Sequence, residues 1–394
     1  MADDTSERPG RIDAWKPLLH SIGLRAEGAI DSVRARFEQR FRPDRRLHVV
    51  AYRGFGNAER CTLSGRVLTY REPPDSDPDT LWHTLQTSYR RFETDEVPGV
   101  RIVARLPAGL SPGGDASELE GTSDQEGYFT LDFATPEGVD DTTLSVTLSL
   151  PEHDDAVQDG PAEVILPGAD ARFGVISDID DTLLVTQATS LLKMMRLTLL
   201  ESSESRVAFP GVAAFYEALH DGTNPFFYVS SSPWNLYEFL QDFMRLKGIV
   251  SGPLLLRDFG LDEDKFIAGP HLEHKLEQIR RVMDRFPTLP FVLVGDSGQH
   301  DPEVYSRIVE AYPGRVLAVY IRDVSDAVRD RAVQDIAARL AGQDVDMLLV
   351  PDMLAAARHA ASRGWLDESA PARVAEDVDR ELAPHEAVDA QTDG

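Results

Sequence analysis

The 394-residue sequence predicts an α/β protein: a doubly wound parallel-sheet domain, preceded by an antiparallel β-sandwich domain and an N-terminal helix. Three observations predict it. From residue 174 onward, apolar runs alternate with amphipathic helical stretches, the pattern of a parallel sheet covered on both faces. Between residues 47 and 166 the runs are short, rich in β-branched and aromatic residues, and separated by Gly, Pro and acidic turns, as in antiparallel sandwiches. Residues 13–41 carry apolar side chains three or four apart, one stripe on a helix. Four segments follow: a helical 1–46, a sandwich 47–168, the parallel-sheet domain 169–366, and an acidic tail 367–394 expected to be disordered.

Composition narrows the function. Hydrophobic residues make up 42% and charged residues 27%, an ordinary globular mix. The single cysteine, Cys61, can close no disulfide within the chain and cannot build a thiolate zinc site. A net charge of −27 argues against nucleic acid as a partner, because phosphates call for a basic stripe. No stretch approaches 18 uncharged apolar residues, and the first ten are polar and acidic, so a cytoplasmic protein is expected. The stripe Trp15, Leu18, Leu19, Ile22, Ala26, Ile30, Val33, Phe37 and Phe41 packs on its own protein or, with Arg25, Arg34, Arg36 and Arg40, lies on anionic lipid.

The strands of 47–166 are read at LHVVAYRGF, RCTLSGRVLTY, GVRIVARL, GYFTLDF, TTLSVTLSL and AEVILPG. They carry no His, Cys or paired-acid cluster. This tract resembles transthyretin-like or carboxypeptidase-regulatory sandwich modules, which implies a scaffold or a partner module of unassigned ligand. Residues 167–174 form the linker. Beyond it the strands FGVISD, PFFYVSSS, LPFVLVGDS, RVLAVYIRDV and DMLLV alternate with helices opening at FPGV, NLYEF, LEHKL, DPEVY, DAVRD and AAARH.

Ligands of such sheets bind beyond the carboxyl ends of the strands, where the strand order reverses. The first strand ends in Ser177-Asp178-Ile179-Asp180-Asp181-Thr182. Carboxylates this close repel, and a hard cation such as Mg2+ relieves them; an acidic turn capping the next helix is the other reading. The second ends in Ser230-Ser231-Ser232-Pro233, hydroxyls and amides before a helix N-terminus, either an anion site or a plain cap. The third ends in Gly295-Asp296-Ser297-Gly298-Gln299-His300-Asp301, where Asp296 stands where a metal ligand is wanted and Asp301 orients other groups or caps its helix. Lys275 lies early in the helix before that strand but off its apolar stripe of Leu272, Leu276, Ile279 and Met283, the place of a solvated lysine or of a phosphate counter-charge; Lys265 is the fallback.

The order DxDxT, a strand ending in Ser, Lys, then GDxxxxD resembles the haloacid-dehalogenase-type phosphatases. More narrowly, DIDDT, FPGV, FYVSSSPWNLY, HK and FVLVGDSGQHDPE resemble the actin-patch-associated phosphatidate phosphatases and their bacterial relatives, over about residues 175–325. The resemblance implies a Rossmann-like fold, Mg2+, and a phosphoaspartyl intermediate; the cap is expected to be small or absent, because neither residues 183–209 nor residues 231–270 leave room for a large lid domain. It makes Asp178 the nucleophile and Asp180 the general acid and then base. Asp178, Asp296 and the Asp180 carbonyl would hold Mg2+. Ser230, Ser231 and Lys275 would bind the phosphate, with Thr182 and Asp301 in support. Phosphatidate is the expected substrate and diacylglycerol the product, with peripheral membrane contact. The greasy stretch TQATSLLKMMRLTLLES, with Met194 and Met195, packs over the sheet edge or forms an acyl-contacting flap. The alternatives are a phosphoprotein or soluble phosphomonoester substrate, a phospho-accepting switch, and a binding module whose functional part is the sandwich. A switch needs no acid two residues past the acceptor, so Asp180 argues for turnover.

Overall fold

The computed structural model describes residues 46–70, 96–107, 118–139, 142–158, 160–179, 210–257, 269–325 and 327–382. The N-terminal helical stripe, Asp180, Thr182, the stretch around Met194 and Met195, and Lys265 lie outside the described residues.

Among the described residues nine strands precede residue 170: β1 (Leu47–Ala51), β2 (Gly54–Gly56), β3 (Arg60–Thr69), β4 (Arg101–Arg105), β5 (Glu118–Thr122), β6 (Tyr128–Ala134), β7 (Thr143–Ser149), β8 (Val157–Gln158) and β9 (Ala162–Ile165). Alternation places them. In β6, Phe129, Leu131 and Phe133 are buried while Thr130, Asp132 and Ala134 are exposed, a period of two that only a strand with one covered face produces. The strands join one network in the order β5-β4-β7-β9-β2-β3-β1-β8, with β6 also on β3. The expectation of a purely antiparallel set needs correction: β1–β8 and β2–β9 run parallel. β5 had no place in the sequence reading. Its residues ELEGT are exposed or half-buried throughout, and backbone pairing to β4 holds them, with Arg101–Glu120 and Arg105–Glu118 ion pairs across the two strands.

The second half interleaves β10 (Gly174–Asp178), α1 (Val212–His220), β11 (Phe226–Pro233), α2 (Tyr237–Leu246), β12 (Leu254–Arg257), α3 (Gly269–Arg285), β13 (Phe291–Asp296), α4 (Asp301–Ala311), β14 (Val316–Arg322), α5 (Ala327–Ala341), β15 (Asp346–Val350), α6 (Met353–Ser362) and α7 (Ala370–Leu382). The six strands pair in parallel, ordered β12-β11-β10-β13-β14-β15. The chain builds outward from β10 to β12, then returns to the other side of β10 as β13. The order reverses between those two strands, the position where the sequence reading looks for a site. Both faces are covered. Val175, Phe226, Tyr228, Val292, Val294 and Tyr320 face one core, with α1, α2 and α6. Ile176, Phe227, Val229, Leu293, Val319 and Ile321 face the other, with α3, α4 and α5. Parallel strands buried on both faces read as unbroken apolar runs.

Helix α7 corrects the expectation of a disordered tail over Ala370–Leu382, while residues 383–394 lie outside the described residues. Ala370 and Val374 are wholly buried, and Val378 packs beside them. The Glu381 carboxylate accepts a hydrogen bond from Gly211 N at 2.9 Å. An apolar contact every fourth residue outweighs a composition that reads as solvated.

Residues 47–394 form one unit, and side chains cross between the two sheets. Tyr52 stacks on Trp234 with ring centroids 4.6 Å apart. Phe55 meets Phe227 edge-on at 5.6 Å. Arg285 donates to Arg60 O at 2.9 Å and to Thr62 Oγ1 at 2.8 Å.

Candidate active site

The site grows from the ends of β10 and β13. Alternation along β10 sends Ser177 toward α1 and Asp178 toward α3. The Ser177 hydroxyl lies 2.7 Å from Tyr216 Oη. Burial, the largest influence, pushes the Tyr216 phenol up to about 12, so it stays neutral and can donate. On the other side, Lys275 Nζ reaches Asp178 Oδ1 at 2.7 Å and Asp301 Oδ1 at 2.8 Å, and donates to Gln299 Oε1 at 3.1 Å.

Lys275 is only 5% exposed. The solvated-lysine reading therefore falls: α3 is covered on more than its apolar stripe, and the strand ends supply the carboxylates that make burial of an ammonium tolerable. A buried cation without partners would cost far more than its pairing returns.

Asp301 is wholly buried, yet it does not serve as the cap of α4. The N-cap is His300, whose side chain makes no capping bond. Asp301 instead accepts from Lys275 Nζ and, through Oδ2, from Asp296 N at 3.2 Å. That approach explains the glycine before it. A Cβ on Gly295 would stand 2.6 Å from Asp301 Oδ2 and 2.9 Å from Tyr305, closer than side chains tolerate. Asp296 is 4% exposed, and its Oδ1 accepts from Gly298 N at 2.7 Å and Gln299 N at 3.0 Å.

Ser230 lies one residue past Val229, which stands in register with Asp178. It is fully buried, and its Oγ accepts from Ser232 N at 2.9 Å. The helix expected to open directly after Pro233 begins as a 3-10 turn over Trp234–Leu236 before α2. Ser231 is half-buried beside it.

Carboxylate oxygens of Asp178, Asp296 and Asp301 all lie within 4.8 Å of one another. The donor set is all oxygen, which suits a hard divalent cation and not a soft one. It includes Asp301, which the sequence reading placed in support, whereas Asp180 lies outside the described residues.

Two groups escaped the sequence reading. Arg322, the last residue of β14, lines the same cleft as Asp178 and Asp296. Arg329 of α5 donates to Ser297 O at 2.9 Å and to Gln299 O, and pairs with Glu303. Arg322 was findable, because it closes an apolar strand at its carboxyl end. Arg329 carried no signal in a helix full of charges.

A parallel α/β sheet that gathers three carboxylates and a buried lysine at the reversal of strand order defines a class: domains that handle an anion or a metal at their strand ends. The comparisons narrow the class. Residues 173–323 match the family model described as the catalytic domain of phosphatidate phosphatase APP1. Phosphatidate phosphatase APP1 of Saccharomyces cerevisiae is 30% identical over 249 residues, 62% of this chain and 42% of the yeast protein. An uncharacterized protein of Schizosaccharomyces pombe is 27% identical over 217 residues, 53% of this chain and 35% of its own length. The chain thus spans less than half the length of these curated relatives. Among solved structures, a ferredoxin-NADP+ reductase from Plasmodium falciparum covers 70% of this chain and 95% of its own at 9% identity, but its TM-score of 0.18 carries no argument. Among the described residues no helix is long and apolar enough to cross a membrane.

Proposed function

We propose that residues 169–366 form a haloacid-dehalogenase-type, Mg2+-dependent phosphatase domain that works through a phosphoaspartyl intermediate and converts phosphatidate to diacylglycerol and phosphate. The strands of 47–168 are its scaffold or partner module. The observation that carries this is the carboxylate cluster of Asp178, Asp296 and Asp301 about one buried Lys275, within the segment that matches a phosphatidate phosphatase catalytic domain.

The residues fit a divalent ion. Three carboxylates meet one lysine among them, and like charges at this spacing call for more positive charge. Asp178 and Asp296 would hold Mg2+, with the Asp180 carbonyl. Bound there, Mg2+ screens the phosphate so that an anionic nucleophile can approach it. Asp178 attacks phosphorus, forming the Asp–phosphate bond as the ester oxygen departs. Asp180 gives that oxygen its proton and then takes one from the water that cleaves the acyl phosphate. Ser230 and Ser231 hydrogen-bond the phosphoryl oxygens, Thr182 supports the turn, and Lys275 offsets the charge that spreads over those oxygens. Asp301 keeps Lys275 in place.

The test is phosphate release with and without Mg2+ from phosphatidate in micelles, p-nitrophenyl phosphate and a phosphopeptide. Mg2+-dependent release that favours phosphatidate supports the reading. Release from the phosphopeptide alone supports the phosphoprotein alternative, and a stable phosphorylated chain with no turnover supports the switch.

A further inference from the structure

β1 and β8 pair in parallel as far as Val49–Gln158, and β2 and β9 take up parallel pairing at Gly54–Val164. Between those two registers the strands part. Gly160 lies on one side of the gap at φ 108°, a backbone region open to glycine and strained for other residues. Helix α2 closes the opening from the second sheet. Its Tyr237 and Gln241 stand one turn apart on the same face, and the Tyr237 hydroxyl accepts from Arg53 N at 2.6 Å. The result is a cavity of about 280 Å3 whose lining includes Arg53, Gln158, Glu163, Tyr237, Glu238 and Gln241. That is just under the roughly 300–1,000 Å3 of small-molecule sites. The cavity shares no lining residue with the cleft at Asp178 and Asp296.

Its walls carry hydrogen-bonding groups that the fold leaves unmet. Gln158 Nε2 is screened from solvent and makes no hydrogen bond among the described residues, although buried polar groups are almost always paired. Gln241 Nε2 donates to the Tyr237 hydroxyl at 2.7 Å. That oxygen also accepts from Arg53 N, so its own proton is left to give. Turning the Gln241 amide over exchanges the roles and leaves the Gln241 NH2 to give instead, so a donor remains in either case. Arg53 directs both Nε and Nη2 at one oxygen of Glu163, Oε2. The pair leaves Nη1 as a donor and Oε1 as an acceptor beside it.

This mixture of donors and acceptors selects the ligand. An ammonium carries donors only and leaves Gln158 Nε2 unmet. A phosphate carries acceptors and meets the carboxylates of Glu163 and Glu238. An apolar molecule satisfies neither kind of group. A hydroxyl both gives and accepts, and several of them on one small frame match amides and carboxylates interleaved on one wall. We propose that this cavity binds a neutral polyhydroxylated molecule of about monosaccharide size, held by Gln158, Gln241 and the Arg53–Glu163 pair. The site is independent of the phosphatase reading.

The test titrates the full chain with D-glucose and with myo-inositol and reads binding by saturation-transfer nuclear magnetic resonance. Saturable binding of at least one of the two is expected. Gln158→Ala should weaken it about two- to tenfold, the worth of one uncharged hydrogen bond. Gln241→Ala should do the same, and it carries the test if Gln158→Ala does not fold. Asp178→Asn should leave the affinity unchanged. The proposal is overturned if neither polyol binds saturably, if both glutamine variants bind as the unmodified chain does, or if Asp178→Asn removes the binding. Displacement of the polyol by an excess of ethanolamine or inorganic phosphate would assign the cavity to a charged ligand and overturns it as well.

Discussion

Asp178 and Lys275 sit 2.7 Å apart, with side chains 4% and 6% exposed. Removing either partner leaves the other charged and screened from water, and breaking such a pair costs about 3–5 kcal/mol. Lys275→Met should therefore lower the urea midpoint sharply as well as abolish phosphate release. Asp178→Asn keeps an oxygen for the lysine and should abolish turnover on every substrate with a smaller stability loss. Asp180→Asn should slow alkyl phosphates far more than aryl phosphates, whose leaving group needs no proton; equal losses would remove Asp180 as the acid. Residue identity at the strand ends was legible, since the position after a buried strand is where polar groups have no packing reason to be. The Lys275 contacts were not. A lysine off a helix's apolar stripe looks solvated until the neighbouring strand ends are in place, and only tertiary geometry supplies those.

The loop between β13 and α4 is held by elements distant in sequence. Ser297 N donates to Arg322 O at 2.9 Å, and Ser297 Oγ accepts from Val324 N at 2.9 Å. Arg329 closes the set through Ser297 O, Gln299 O and Glu303. Burial works against the Glu303 charge, but the hydrogen bond and charge of Arg329 hold its carboxyl below the usual value. Arg329→Ala should loosen the loop that positions Asp296 and Asp301. The expected outcome is a several-fold weaker Mg2+ requirement curve and a lower kcat, with a far-ultraviolet spectrum unchanged; an unaltered Mg2+ dependence would show that the loop holds itself. Gly295→Ala is the companion case, because the added methyl meets the Asp301 carboxylate at 2.6 Å. Elements with a clear period, such as β6 or α3, were legible. β5 was not, because an exposed strand of ELEGT carries no alternation and is made by its neighbour's backbone.

Across residues 47–394 the two sheets are packed through Tyr52, Phe55, Phe227 and Phe286. Phe55→Ala should cost about 3–5 kcal/mol and lower one shared melting transition of both sheets. Two separate transitions, with only one shifted, would show that they unfold independently. Alkali offers a second whole-molecule test. Burial holds the phenols of Tyr52, Tyr216, Tyr228, Tyr237, Tyr305 and Tyr320 above their ordinary value. The folded chain keeps these protons where an unfolded chain loses them near pH ~10. Their stabilisation is therefore complete below that pH and drains away as pH rises through about 12, the Tyr216 value. Tyrosinate absorbance should rise together with loss of circular dichroism. The parallel sheet covered on both faces was legible because apolar strands alternate with amphipathic helices; the strand order was not read from the sequence and comes from the structure. The aromatic seam between the sheets was not, since a period of two tells which side chains are covered but not by what.

Gly174 opens β10 directly against the ring of Phe291, which opens β13, and a methyl there would stand 2.5 Å from that ring. The two strands that present Asp178 and Asp296 are thus gauged against each other at their far ends, four residues before Asp178 and five before Asp296. The chemistry at one rim of the sheet is hostage to hydrocarbon at the other. A substitution that alters no charge and touches no ligand could slide one carboxylate past its neighbour and silence the site.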